Sequence, residues 1–232
     1  MRGRLLLTAV LAVVLAAACA TKTARDGSRK EVVHAKYLFK GEIDRVIDTT
    51  REEAVEGLLL VAEKLYRRNP RELKRGGMES REAALAALRK RQYPAALEGK
   101  LAGPAAMQAF RDDYTGDRVA ALMSGLLSMI DAAFENKDEF FMFDSLDAQK
   151  LYNCARNIEI ALWKLGTAKN AAGELFLLSN ELDPANRNLS FEREFGRVMG
   201  VLDLLSHIVA DTNGRVVSRL TQSIATTIFL PI

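Results

Sequence analysis

The stretch Asp117–Phe134, "DRVAALMSGLLSMIDAAF", decides the fold of this chain. Val119, Leu122, Leu126, Met129, Ile130 and Phe134 recur every three or four residues, the spacing of one helix face. Asp117 stands where a carboxylate meets the positive end of the helix dipole.

The same period recurs on both sides. Leu151, Ala155, Ile158, Leu162 and Leu165 predict a helix from about Ser145 to Leu165, capped at Asp144-Ser145 and ended by Gly166. Phe195, Val198, Leu202, Leu205 and Val209 predict another over Phe191–Val209. Between them, Ala171–Leu182 is expected to be helical up to the stop Asp183-Pro184. Upstream, Thr50-Arg51-Glu52-Glu53 fits a capping box ahead of Ala54, Leu58, Val61, Ala62 and Leu65. Asn69-Pro70 stops that helix and can begin the next. Gly76-Gly77 breaks the chain again, and Ser80 can cap Arg81–Arg91. Val32–Phe39 suggests a short helix before Gly41. After the turn Asn213-Gly214, Val217, Leu220, Ile224 and Ile228 keep helical spacing. No run alternates convincingly as strands do. The expectation is an all-α, irregular multi-helix domain of about eight to ten helices over residues 32–232.

"LFLLSNELDP", Leu175–Pro184, resembles the close of a tetratricopeptide repeat. Such repeats recur about every 34 residues. Pro70 and Pro104 have that spacing, but the residues before Pro104 do not match the helix before Pro70. Divergent helical hairpins fit better than a regular array.

The amino terminus carries a different signal. Arg2 and Arg4 precede Leu5–Ala18, apolar except for Thr8. A spanning helix needs about 20 apolar residues, so this run is too short and reads as a secretory signal. Leu15-Ala16-Ala17-Ala18-Cys19 resembles the lipobox of bacterial lipoproteins, with Ala16 where most members have Leu. The resemblance implies cleavage after residue 18 and a diacylglyceryl group on Cys19, with acylation of the new amino terminus. Two or three acyl chains hold a protein stably to a bilayer where one does not. Ala20, not Asp, follows the cysteine, which resembles the outer-membrane sorting pattern of diderm bacteria. Residues 19–31 are then a lipidated, polar tether facing the periplasm.

Composition excludes more than it identifies. Of 232 residues, 33 are Lys or Arg and 30 Asp or Glu. Without Arg2 and Arg4 the balance is 31 to 30, so no nucleic-acid partner is expected. Cys19 and Cys154 are the only cysteines, and a lipidated Cys19 leaves Cys154 without a partner in the chain.

Candidates for chemistry are sparse. Glu31 and His34, and Asp203 and His207, have spacings that share a helix face, but a di-iron bundle needs two such Glu-x-x-His pairs and two further glutamates. Cys154 with His207 would need the fold to join them. No Gly-x-Ser-x-Gly elbow or phosphate-binding loop is present. No catalytic residue, metal or cofactor is assigned.

Charge is segregated instead. From Glu63 to Arg91 ten Lys or Arg stand against four acids, and from Asp131 to Asp147 six acids stand against Lys137. The two segments either pair with each other inside the fold or offer contact surfaces. Arg67, Arg68, Arg71, Lys74 and Arg75 are the candidate partner-binding cations. Phe140, Phe141 and Phe143 in the block Phe140-Phe141-Met142-Phe143 either pack as core or form an exposed docking patch. The expected function is a membrane-anchored adaptor or scaffold of a cell-envelope assembly, with a protein partner. A helical small-ligand-binding accessory protein of a transport system is the second reading, and an envelope enzyme the third.

Overall fold

A computed structural model describes residues 19–23, 29–33, 40–141, 144–181, 188–213 and 229–232. Two short strands, β1 (Cys19–Thr23) and β2 (Arg29–Val33), pair antiparallel with Cys19 opposite Val33. They fall within the segment read as a tether and the start of the expected Val32–Phe39 helix. Seven α-helices follow among the described residues, fewer than the eight to ten expected. They are α1 (Glu42–Arg68), α2 (Arg71–Arg75), α3 (Arg81–Arg89), α4 (Ala102–Gln108), α5 (Arg118–Ala133), α6 (Ala148–Thr167) and α7 (Ser190–Asn213). A 3₁₀ turn at Ala95–Leu97 lies between α3 and α4. The expected helix over Val217–Ile228 lies outside the described residues.

The chain divides into two units, residues 1–48 with 139–144, and residues 49–138 with 145–232. In the first unit, Asp44 closes the start of α1 by accepting from the Gly41 N–H at 2.7 Å. Asp48 pairs with Lys40 and accepts from the Phe140 N–H at 2.9 Å. The Lys40 ammonium also lies 5.2 Å from the centre of the Phe141 ring.

The second unit holds the helical core. Helix α5 is its centre: Arg118–Ile130 and Ala133 are all buried, so the helix is covered nearly all round and not along one stripe. Small residues make that possible. At Gly125 an added Cβ would meet the Ala106 N at 2.5 Å and the Ala102 O at 2.6 Å, so α4 crosses α5 backbone to backbone. Ser128 secures the crossing by accepting from the Ala102 N–H at 2.8 Å and donating to the Gly125 carbonyl at 2.9 Å. Helix α6 packs chiefly on α7, whose Phe191, Phe195, Val198, Leu202, Leu205 and Val209 are all buried.

Three local expectations need correction. Thr50 does not start a helix, because Ile47 continues the buried stripe of Ala54 and Leu58 backward and α1 runs through from Glu42. A mid-helix Thr costs only tenths of a kcal/mol against that burial. Helix α6 is capped by Asp147, whose Oδ1 accepts from the Gln149 N–H at 2.8 Å; Asp144 is already engaged with the Phe141 N–H at 2.9 Å. Residues 171–181 are not helical. Asn170 and Gly173 form a turn, Lys169 bridges to Leu175 and Glu181 bridges to Asn188. The described part of the tetratricopeptide-like run, Leu175–Glu181, is therefore an irregular segment.

Candidate functional site

The candidate cations lie at the junction of α1 and α2. Helix α1 ends because Asn69 turns back on it, donating from Nδ2 to the Leu65 carbonyl at 2.9 Å. The same side chain grips a distant segment, accepting from the Leu178 N–H at 2.8 Å and donating to the Leu178 carbonyl at 2.9 Å. Pro70 then enters α2 with a helical φ of −63°. Arg67 and Arg68 close α1, where cations oppose the negative end of the dipole.

These cations differ in availability. Arg67 has a side chain 61 % exposed and pairs with Glu63 at 2.5 Å. Arg71 is 59 % exposed and Arg75 39 %, and both reach the Glu72 Oε1, at 3.3 and 3.0 Å. Lys74 is exposed. Arg68 is half-buried and faces Glu181 at 3.6 Å. Arg67, Arg71, Lys74 and Arg75 thus present charge to solvent, while Arg68 is more occupied within the fold.

Beneath them is a polar cradle. Glu72 is fully buried, and its Oε2 accepts from the Arg118 N–H at 2.9 Å. Asp117 is also buried; its Oδ1 accepts from the Ala120 N–H at 2.9 Å and its Oδ2 from the Tyr66 hydroxyl at 2.7 Å. Two carboxylates therefore take up the free N–H groups at the start of α5. All four carboxylate oxygens have partners. Burial pushes the Asp117 carboxyl up to about 6, against the opposing pull of the Ala120 and Tyr66 hydrogen bonds. Burial, helped by the neighbouring Asp117 charge, drives the Tyr66 hydroxyl far above its ordinary range. Arg118 is buried too; it donates to the Ala109, Arg111 and Tyr114 carbonyls and stacks 4.7 Å from the centre of the Phe176 ring.

A cleft of about 280 Å³ opens beside the cradle, walled by Arg75, Met78, Gln92, Tyr93, Pro94 and Asp117. Burial pushes the Tyr93 hydroxyl up to about 12, and its oxygen has no hydrogen-bond partner among the described residues. A second, more polar hollow of about 520 Å³ is lined by Lys100, Gln108, Arg111, Asp113 and Tyr114, and Ala96 borders both.

No family model, curated protein or solved structure matches this chain.

Its other candidate residues are placed as follows. The basic and acidic segments do meet: Arg91 holds Asp131 through two bonds, Nε to Oδ2 at 2.6 Å and Nη2 to Oδ1 at 2.9 Å. Arg51 joins them, 3.0 Å from Asp131 and 2.8 Å from Asp138. Phe140 is fully buried, which removes it from any exposed docking patch; Phe141 is half-buried, and Phe143 lies outside the described residues. Glu31 sits in β2, so the helix-face spacing to His34, itself outside the described residues, does not apply. His207 is exposed, and Asp203 accepts from Arg156 at 2.6 Å. Cys154 is fully buried and its thiol is pushed far up by that burial, so it packs as a small apolar group. Among the described residues no group of three potential ligands is placed to hold a metal, and no helix is long and apolar enough to cross a membrane. Cys19 lies at the start of β1.

The residues missed in the sequence are the buried polar ones. Glu72 and Asn69 look like ordinary members of a charged, helix-ending stretch, and only contacts more than forty residues away reveal them.

Proposed function

We propose that this chain is a lipid-anchored envelope protein that acts by binding, as an adaptor or scaffold in a membrane-associated assembly. Cys19 carries the acyl chains, and the α1–α2 junction carries the contact. One observation supports this above the others: Arg67, Arg71, Lys74 and Arg75 reach solvent together, over a cradle that fixes the backbone beneath them. The preferred partner is an acidic protein surface. Charge brings such partners together quickly and selects among them more than it adds raw affinity.

The test is a crosslinked pull-down from native membranes with Arg67→Glu and Lys74→Glu combined. Loss of the captured partner at an unchanged thermal melt is the expected result. Capture at wild-type levels would sink the adaptor reading. Labelling with a palmitate analogue, lost in Cys19→Ala, checks the anchor separately.

The cleft favours a second reading, a small-ligand binder. Arg75 and Asp117 bring opposite charges to a wall otherwise formed by Met78, Pro94 and Ala120. Its volume of about 280 Å³ falls just below the range of ligand pockets, roughly 300–1,000 Å³, and suits only a small ligand. Displacement of a bound metabolite by Met78→Trp would distinguish this reading from the adaptor.

A further inference from the structure

The last four residues, Phe229–Ile232, lie along α6 and are held there by side chains that read backbone. Asn157 accepts from the Leu230 N–H at 2.6 Å and donates to the Leu230 carbonyl at 2.9 Å. One helical turn earlier, Asn153 donates to the Pro231 carbonyl at 2.9 Å. Rising numbers in the tail meet falling numbers on the helix, so the tail runs antiparallel to α6. Asn153 is itself oriented by Gln149, which donates to its Oδ1 at 2.9 Å. On the facing side, an added Cβ at Gly103 would lie 2.9 Å from the Phe229 Cβ, so the α4 backbone forms the wall against which Phe229 rests.

Asn157 is fully buried, and both ends of its amide bond the tail. A buried amide left unpaired costs about 1–3 kcal/mol. The groove is therefore poorly suited to standing empty and well suited to exchanging one extended backbone for another. Its polar contacts read N–H and C=O groups, which every peptide carries. Around those contacts the segment carries the apolar residues Phe229, Leu230 and Ile232.

We infer that the groove between Gly103 on α4 and Asn153 and Asn157 on α6 is a peptide-recognition site, occupied in this structure by residues 229–232 of the same chain. Its ligand in a partner protein is an extended, uncharged segment with consecutive apolar residues and a free N–H opposite Asn157. The cis tail is a competitor. A segment of the same chain competes intramolecularly, so a partner binds weakly until the contacts of residues 229–232 are weakened. The site shares no residue with the basic junction, and it stands whether or not Cys19 carries lipid.

The test uses a fluorescent synthetic peptide spanning residues 226–232, titrated by anisotropy into the full chain. Leu230→Pro removes the N–H that Asn157 accepts and loosens the tail. The peptide is expected to bind this variant at least tenfold more tightly than the unmodified chain. Adding Asn153→Ala is expected to cut that binding tenfold, and an aspartate in place of the peptide's phenylalanine to abolish it. Equal binding to both chains, or binding indifferent to Asn153→Ala, would overturn the assignment. So would a Leu230→Pro chain that fails to fold by circular dichroism, since the tail would then be fixed core. A concentration-dependent dimer with tails crosslinked between copies would replace the partner by a second copy and overturn it as well.

Discussion

The Tyr66 hydroxyl donates to the Asp117 Oδ2 at 2.7 Å across 51 residues of sequence, joining the end of α1 to the start of α5. Both groups are buried. Tyr66→Phe keeps the ring and removes only the donor, leaving one carboxylate oxygen unmatched. The expected loss is about 2 kcal/mol in urea unfolding, since hydrogen bonds to charged groups contribute about 1.5–3 kcal/mol. A change below a few tenths would mean that water replaces the hydroxyl.

Asp117 should give stability an unusual dependence on pH. Its carboxyl lies at about 6 in the folded chain against an ordinary value near 3.8, so the folded state holds the proton more tightly. Its contribution is fully present below about pH 4 and is lost as pH rises through about 6, an upper figure of roughly 3 kcal/mol at 1.36 kcal/mol per unit. Asp117→Asn can still accept from the Ala120 N–H and does not titrate. Relative to the unmodified chain, this variant should therefore gain stability between pH 4.5 and 7.5. Parallel pH profiles of the two would refute the assignment.

Asp131 binds two guanidinium groups, those of Arg91 and Arg51. Asp131→Ala takes from Arg91 the carboxylate that holds it and leaves Arg51 with Asp138 alone, in a partly screened site. A loss of about 2–3 kcal/mol is expected, more than the 0–1 kcal/mol of an exposed pair. Arg91→Ala should cost less, because Asp131 keeps Arg51. A double-mutant cycle checks the ranking.

Gly125 sets how closely α4 approaches α5. A methyl there would collide with backbone atoms at 2.5 and 2.6 Å, not with a side chain that could turn aside. Gly125→Ala should therefore destabilise by about 2 kcal/mol or more despite its better helix propensity, the range of overpacked cores. A rise in melting temperature would contradict the crossing geometry.

The sequence shows its helices wherever burial is periodic and local. Helices α5 and α7 follow from their own spacing, and Ser80 caps α3 as its hydroxyl suggests, accepting from the Ala83 N–H at 3.0 Å. Leu175–Glu181 misleads for a physical reason: its apolar residues suit a helix, but Asn69 takes both backbone groups of Leu178, and Phe176 is drawn under Arg118. Long-range hydrogen bonds overrode local preference. The exposed cations were legible because charge runs are visible residue by residue. The cradle and the tail groove were not, since Glu72, Asn69 and Asn157 gain their roles from residues 46, 109 and 73 positions away.

Helix α5 has almost no face turned to water, and this matters before the fold is complete. During synthesis the chain passes Ala133 before α6 and α7 exist to cover it. A nascent chain halted there would expose Leu122, Met123, Leu126 and Ile130 at once, a surface for chaperones or for other nascent copies. Slowing translation just after this point should raise aggregation more than slowing it at any other helix boundary.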